Sequence, residues 1–240
     1  GRSLANLLRQ LTDDRIRVDA LPATELSGFG LQLDMCDTLI VAISQSGTTT
    51  DTNRTVDLAR SRGARVVAIV NRRGSELTAK ADGVIYTSDG RDVEMSVAST
   101  KAFYAQVAAG ALVACAIAQV LGTGSADDRN NLLQALRTLP DAMREVLQLR
   151  EQVAEAARTF ATSRRYWTIV GNGANAVAAE EVRIKLSELC YKSIACDITE
   201  DKKHIDLSCE PLIFVCAAGL AGGTAADVAK EIEIFRAHKA

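Results

Sequence analysis

Thr38-Leu39-Ile40-Val41-Ala42-Ile43-Ser44-Gln45-Ser46-Gly47-Thr48-Thr49-Thr50-Asp51-Thr52 is the stretch that decides the fold. Its first part, Thr38 to Ile43, is a continuous apolar run, as expected for a strand buried on both faces. It passes directly into a loop rich in hydroxyl side chains around one glycine. Asn53 to Arg62 then has helical spacing, and Gly63 ends that helix. A strand, a short polar loop and a helix in that order form the opening of a parallel α/β unit.

The same alternation continues outward. Downstream come a buried strand at Arg65 to Val70, a short helix at Ser75 to Lys80 and a strand at Gly83 to Thr87. A long helix follows from Ser99 to about Leu121. Upstream, Leu4, Leu7, Leu8 and Leu11 share one helical face, and Arg15 to Leu21 reads as a short alternating strand. Strands alternating with helices imply a parallel sheet covered on both faces. Gly122 to Asp128 is a polar break and marks a linker start. Beyond it, Asn130 to Ala161 is helical, Tyr166 to Val170 opens a second strand series, Asn175 to Tyr191 is a helix and Pro211 to Cys216 is another buried strand.

An internal repeat underlies this order. Asp37 to Ala42 matches Glu210 to Val215 in pattern, and each run leads into a loop of small residues and then a helix. The first loop keeps its hydroxyls; the second, Ala217 to Thr224, keeps almost none. The expectation is therefore two tandem three-layer α/β/α domains with parallel sheets, at 1–125 and 126–240, with only the first loop functional. The first copy begins at its first helix and the second stops before its second strand, so both domains read as truncated.

Composition narrows the function. Hydrophobic residues make up 48% and charged residues 24%, a globular balance and not a disordered one. The net charge of −2 and the lack of a Lys/Arg block leave no electrostatic footprint for nucleic acid. The six cysteines form no CxxC pair, and there are only two histidines, so no metal site and no cofactor are expected. The cysteines read as small buried thiols in a reducing cytoplasm. Ala105 to Leu121 is strongly apolar but short for a span and interrupted by Gln106, Gly110 and Gln119, so a buried core helix is expected and not a membrane anchor.

The Ser44–Thr52 loop is the main chemical signal. It lies at the carboxyl end of a parallel strand, where ligands of open α/β sheets bind. The helix after it offers free N–H groups and the positive end of its dipole to an anion. One helix cap needs one hydroxyl, and this loop has six Ser/Thr positions. No lysine follows the glycine, which excludes a Walker-type nucleotide loop. Two further stretches are weaker by themselves. Ser99 or Thr100 can simply cap the long helix. Lys185 and Glu188, spaced by three, suit a surface ion pair, and His204 lies in a charged loop.

Ser44-Gln45-Ser46-Gly47, then Val97-Ala98-Ser99-Thr100-Lys101-Ala102-Phe103, then Lys185 with Glu188 and Tyr191 occur together and in order. In this combination the chain resembles the sugar isomerase (SIS) family, and within it the isomerase half of the glutamine–fructose-6-phosphate aminotransferases. The resemblance implies that Ser44, Gln45, Ser46 and Thr49 hold the phosphate of a phosphorylated sugar and that Val97 and Ser99 line the sugar site. It implies that Glu188 moves a proton between sugar carbons, with Lys185 beside it, and that His204 helps open the sugar ring from a neighbouring subunit. A cytoplasmic homodimer with a shared active site follows from that, as does an upstream glutaminase domain as a partner. The stretch Glu200-Asp201-Lys202-Lys203-His204-Ile205-Asp206 departs from the family's Gly-Glu-Leu-Lys-His-Gly-Pro pattern, and the family's C-terminal tail with its Schiff-base lysine is not matched. Two alternatives stay open beside the isomerase: a non-catalytic module that senses a phosphosugar, and a phosphosugar deaminase or deglycase.

Overall fold

A computed structural model describes residues 1–90, 98–202 and 209–238. The chain divides into two compact units, Gly1–Leu136 and Arg137–Ala240. The division falls inside one helix, four residues before Pro140, whose missing N–H cannot complete the helical ladder back to Leu136.

In the first unit three parallel strands, β1 (Leu39–Ser44), β2 (Arg65–Val70) and β3 (Gly83–Tyr86), lie in the order β1-β2-β3. Leu39 pairs with Arg65 and Ser44 with Val70, so β1 and β2 end level with each other. Alternation along the strands sorts the side chains to two faces. Val41, Ile43, Ile69 and Ile85 pack against helices α1 (Arg2–Thr12) and α5 (Lys101–Val120), with Leu4, Leu8, Leu11, Val113 and Ala114 at the centre. Ala42, Val66 and Ala68 turn to the other face, where Val56 and Leu77 cover them. Those two residues belong to α3 (Thr50–Ser61) and α4 (Glu76–Lys80), which follow the short α2 (Ala23–Glu25) and a π turn at Leu26–Gly30. This unit is therefore a three-layer α/β/α sandwich with a parallel sheet.

Helix α5 is long and apolar enough to cross a membrane by length and composition. Its residues Ala109, Ala111, Val113, Ala114, Cys115 and Ala118 are instead buried in the core against α1. Small side chains on this face let the two helices pack closely.

The second unit carries the later part of α6 (Ala126–Leu147), then α7 (Arg150–Ala156) and a π turn at Ala157–Ala161. Its three parallel strands, β4 (Trp167–Gly171), β5 (Ala195–Asp197) and β6 (Leu212–Cys216), lie in the order β5-β4-β6. Helix α8 (Ala174–Cys190) buries Ala179 and Leu186 against Ile169, Ile194 and Trp167. The short α9 (Thr199–Lys202) and the final α10 (Gly222–Ala237) complete the unit.

Three expectations differ from this structure. Arg15 to Leu21 is not a strand, because none of its residues pairs with β1 or any other described strand. It is held instead by its ends: Asp13 and Asp14 turn the chain with positive φ, the Arg9 guanidinium donates to the Val18 carbonyl, and Val18 packs on the core. The helical stretch expected to run unbroken from Asn130 to Ala161 is divided at Gln148 and Leu149. Of the cysteines, Cys115 is buried, but Cys36, Cys190 and Cys209 are exposed. Cys36 sits in the turn before β1, where its backbone N–H donates to the Asp34 carboxylate. Its thiol also bonds that carboxylate, which raises its pKa.

Candidate functional site

The loop after β1 is built from its own hydroxyls. Gly47 N–H donates to Ser44 Oγ at 3.0 Å, and Thr48 donates to Ser46 Oγ through its N–H at 3.3 Å and its Oγ1 at 3.0 Å. Both serine oxygens thus act as acceptors within the loop. A hydroxyl that accepts still has its own proton to donate, and among the described residues neither serine spends it on a neighbour.

Gly47 is required on two grounds. Its φ is +65°, and a Cβ there would lie 2.7 Å from Ser75 Cβ and 3.0 Å from Val70 Cγ2. The loop is also tied to the turn after β2. Gln45 O accepts from the N–H groups of Asn71 at 3.1 Å and Arg72 at 3.2 Å, and Gly47 O accepts from Leu77 N–H at 3.0 Å.

Helix α3 starts at this loop with Thr49 as its N-cap, and Thr49 makes no side-chain cap bond. The first turn of the helix therefore presents its N–H groups without a side-chain cap, the arrangement that binds anions. One turn in, Asn53 is buried and clamps the loop, its Nδ2 donating to Gly47 O at 3.2 Å and to Thr49 O at 3.1 Å. Its Oδ1 and the Oγ of Ser75 are buried without a partner among the described residues.

Ser44, Gln45, Ser46 and Thr49 accordingly share one turn, with Ser44 buried and Thr49 exposed. Ser99 lies half-buried two residues before α5. Val97 lies outside the described residues.

In the second unit Lys185 and Glu188 sit on α8 with Nζ and Oε2 3.1 Å apart. The same ammonium lies 3.5 Å from Glu181 Oε1, one turn back. Lys185 is only 19% exposed, so this is a partly dry triad and not a solvated surface pair. Burial raises the Glu181 carboxyl above its ordinary range, against the opposing pull of Lys185. His204 lies outside the described residues.

The strand-end turns of this unit are cross-tied. Asn172 Nδ2 donates to Thr199 Oγ1 at 2.8 Å, Thr199 N–H returns to Asn172 Oδ1 at 3.0 Å, and Asn175 Nδ2 donates to Ala218 O at 2.9 Å. The loop that mirrors Ser44–Thr52 has one hydroxyl, on Thr224, and it donates to Ala221 O at 2.8 Å. That hydroxyl's proton is already used, so the two loops differ in chemistry as well as in sequence.

Sequence reasoning missed Asn53, Ser75 and Glu181. Asn53 carried a faint signal, since asparagine is a poor helix former and stands four residues after the N-cap. Glu181 stands four residues before Lys185, on the same helical face. Ser75 carried no signal, because its place against Gly47 depends on the level ends of β1 and β2.

Residues 22–116, which hold the parallel sheet and the hydroxyl-lined start of α3, match the SIS domain family model. The chain is similar to glutamine–fructose-6-phosphate aminotransferases (isomerizing). It is 40% identical over 154 residues to the one from Corynebacterium glutamicum, covering 64% of this chain. It is 41% identical over 154 residues to the one from Mycobacterium tuberculosis H37Rv. The chain spans about a quarter of the length of these relatives, 24% in each case. Among solved structures, the C-terminal domain of glucosamine-fructose-6-phosphate aminotransferase from Francisella tularensis superposes with a TM-score of 0.89 at 21% identity. That match covers all of this chain and 66% of that one, and at this identity it is a likeness of fold.

Proposed function

We propose that the chain is the phosphosugar-binding isomerase part of a glucosamine-6-phosphate synthase-like amidotransferase, acting on fructose 6-phosphate. The observation that carries this reading is the loop after β1. The uncapped start of α3 and the unspent protons of Ser44 and Ser46 converge on one turn, held open by Gly47. A phosphate dianion matches that set, since it offers acceptors only and prefers the positive end of a helix.

The ketose-to-aldose step needs a base that removes a proton from one sugar carbon and returns it to the next. Glu188 is assigned that role. Lys185, 3.1 Å away, holds its carboxylate and supplies positive charge where an enediolate oxygen would develop. In this reading the chain forms two tandem SIS-type domains, the second copy keeping the fold but not the phosphate loop. A homodimer, an upstream glutaminase domain and a cytoplasmic setting belong to the same proposal.

Calorimetric titration with fructose 6-phosphate tests it. Saturable binding is expected, weakened about tenfold or more in Ser46→Ala, as for loss of one hydrogen bond to a charged group. Unchanged affinity in that variant removes Ser46 from the site. Glu188→Gln is expected to abolish isomerisation and leave binding intact, and retained turnover refutes the proton-transfer role.

A further inference from the structure

Helix α8 carries two sets of charged side chains, and they face different ways. Glu180 and Arg183 act on the Cys196 thiol of β5. Glu181, Lys185 and Glu188 stand at i, i+4 and i+7, one stripe two turns long. Ala179 and Leu186 pack on Ile169, Ile194 and Trp167, so the stripe is turned away from that core face.

Two members of the stripe have roles in the isomerisation read above, and Glu181 has none. Its Oε1 nevertheless lies 3.5 Å from the ammonium that Glu188 Oε2 meets at 3.1 Å. One cation is thus shared by two carboxylates that repel each other. The side chains of Glu181, Lys185 and Glu188 are 21%, 19% and 34% exposed, so water screens these charges less than it screens a surface pair. The strands packed against α8 bring Cys196, Asp197 and Cys216 as their titratable groups, whereas the charges acting on Glu181 are Lys185 and Glu188. Burial raises the Glu181 carboxyl, so its ionised form costs stability at neutral pH. A buried charge held at that cost beside a proposed base points to function and not to stability.

We propose that Glu181 is a positioning residue of the isomerase centre: by sharing the Lys185 ammonium it keeps Glu188 out of a one-to-one ion pair, so that Glu188 remains a competent base and Lys185 remains available to the enediolate oxygen. This rests on the reading of Glu188 as the proton-transfer base. In that step Glu188 takes a proton from C1 of the open ketose, the C–H electron pair becomes the C1–C2 double bond, and the carbonyl pair moves onto O2. The proton then returns to C2, and the O1 proton passes to O2. With Glu181 neutral, Lys185 pairs with Glu188 alone, which stabilises the carboxylate and weakens it as a base.

Glu181→Gln keeps the size of the side chain and an oxygen for Lys185, and removes the charge. Isomerisation of fructose 6-phosphate to glucose 6-phosphate, followed from about pH 5 to about pH 9, tests the role. The variant is expected to lose about threefold to tenfold in kcat with KM unchanged, and the acid limb of its kcat/KM profile is expected to move about one unit to lower pH. Since the charge costs stability, this loss is not one of folding. Glu181→Asp keeps the charge and is expected to return the limb to its wild-type position. An acid limb that does not move in Glu181→Gln, or a kcat that does not fall, overturns the positioning role while Glu188 stands as the base. A limb that stays displaced in Glu181→Asp also overturns it, since the charge is then not the cause. If the wild-type chain binds fructose 6-phosphate without turnover, or Glu188→Gln retains turnover, the reading of Glu188 fails and the role of Glu181 falls with it.

Discussion

Replacing Gly47 with alanine tests the architecture of the loop most directly. The backbone at Gly47 has φ +65°, and holding an L-residue in that left-handed region costs roughly 1–2 kcal/mol. The new Cβ would also lie 2.1 Å from Ser75 Oγ, 2.7 Å from Ser75 Cβ and 3.0 Å from Val70 Cγ2. A hydroxyl can rotate away, but Ser75 Cβ is fixed by the backbone that starts α4, and Val70 sits in a buried strand. Overpacking of this kind costs typically about 1–3 kcal/mol, for a total of about 2–5 kcal/mol. The two contributions separate in a double-mutant cycle with Ser75→Gly, which removes both Ser75 contacts. Ser75 makes no side-chain cap bond to α4, and glycine is tolerated at an N-cap, so Ser75→Gly alone should cost only a few tenths of a kcal/mol. In the double variant the Ser75 part of the clash should be relieved, while the approach to Val70 Cγ2 and the roughly 1–2 kcal/mol of backbone strain should remain. Urea denaturation of the four proteins measures the cycle. A Gly47→Ala cost below about 1 kcal/mol, or no coupling to Ser75→Gly, refutes the close approach of the two loops.

The sequence stretches that matched the structure best were those whose pattern is local. The runs at Thr38–Ile43 and Arg65–Val70 read as buried strands because a strand covered on both faces needs no polar alternation, and their bounds fell within a residue of those observed, Leu39–Ser44 and Arg65–Val70. The Ser44–Thr52 stretch was legible because strand, glycine and hydroxyls are contiguous, and helix α3 already begins at Thr50 within it. Arg15–Leu21 misled because alternation states only that one face is buried, and Val18 alone satisfies it by packing on the core without any ladder. Strand β5, three residues long with a polar end at Asp197, was too short to carry a pattern. The contacts that tune the sites were not legible for a different reason. Asn53 reaches Gly47 across a helix start, and Ser75 meets Gly47 only because β1 and β2 run parallel in register. Lys185 and Glu188 were legible as a pair on one helix face, but neither Glu181 nor the partial burial of that face was, since burial depends on what packs against α8.

Two further predictions concern pH. Asp82 accepts the Val66 backbone N–H at 2.7 Å and a hydrogen bond from Arg60 at 2.9 Å, and these contacts, the Val66 bond foremost, hold its carboxyl below the ordinary value of 3.8. A depressed carboxyl contributes stability that is complete above 3.8 and is lost as pH falls through the folded value. The melting temperature of Asp82→Asn should therefore fall less than that of wild type between about pH 5 and about pH 2, and parallel curves would show that the carboxylate is not selectively held. Glu181 should behave in the opposite sense. Burial raises its carboxyl above 4.5, with Lys185 pulling the other way. Stability from a raised carboxyl is complete below 4.5 and is lost as pH rises through the folded value, so at neutral pH the ionised group is a net cost. Glu181→Gln removes that charge, keeps an oxygen for Lys185, and leaves Lys185 its closer partner Glu188 at 3.1 Å. The variant should melt above wild type at about pH 7.5, and the gap should close toward about pH 4, where wild-type Glu181 is itself protonated. If Glu181→Gln melts below wild type at neutral pH, the attraction to Lys185 outweighs the cost of burial, and the triad on α8 is a stabilising ion-pair network instead of a strained one.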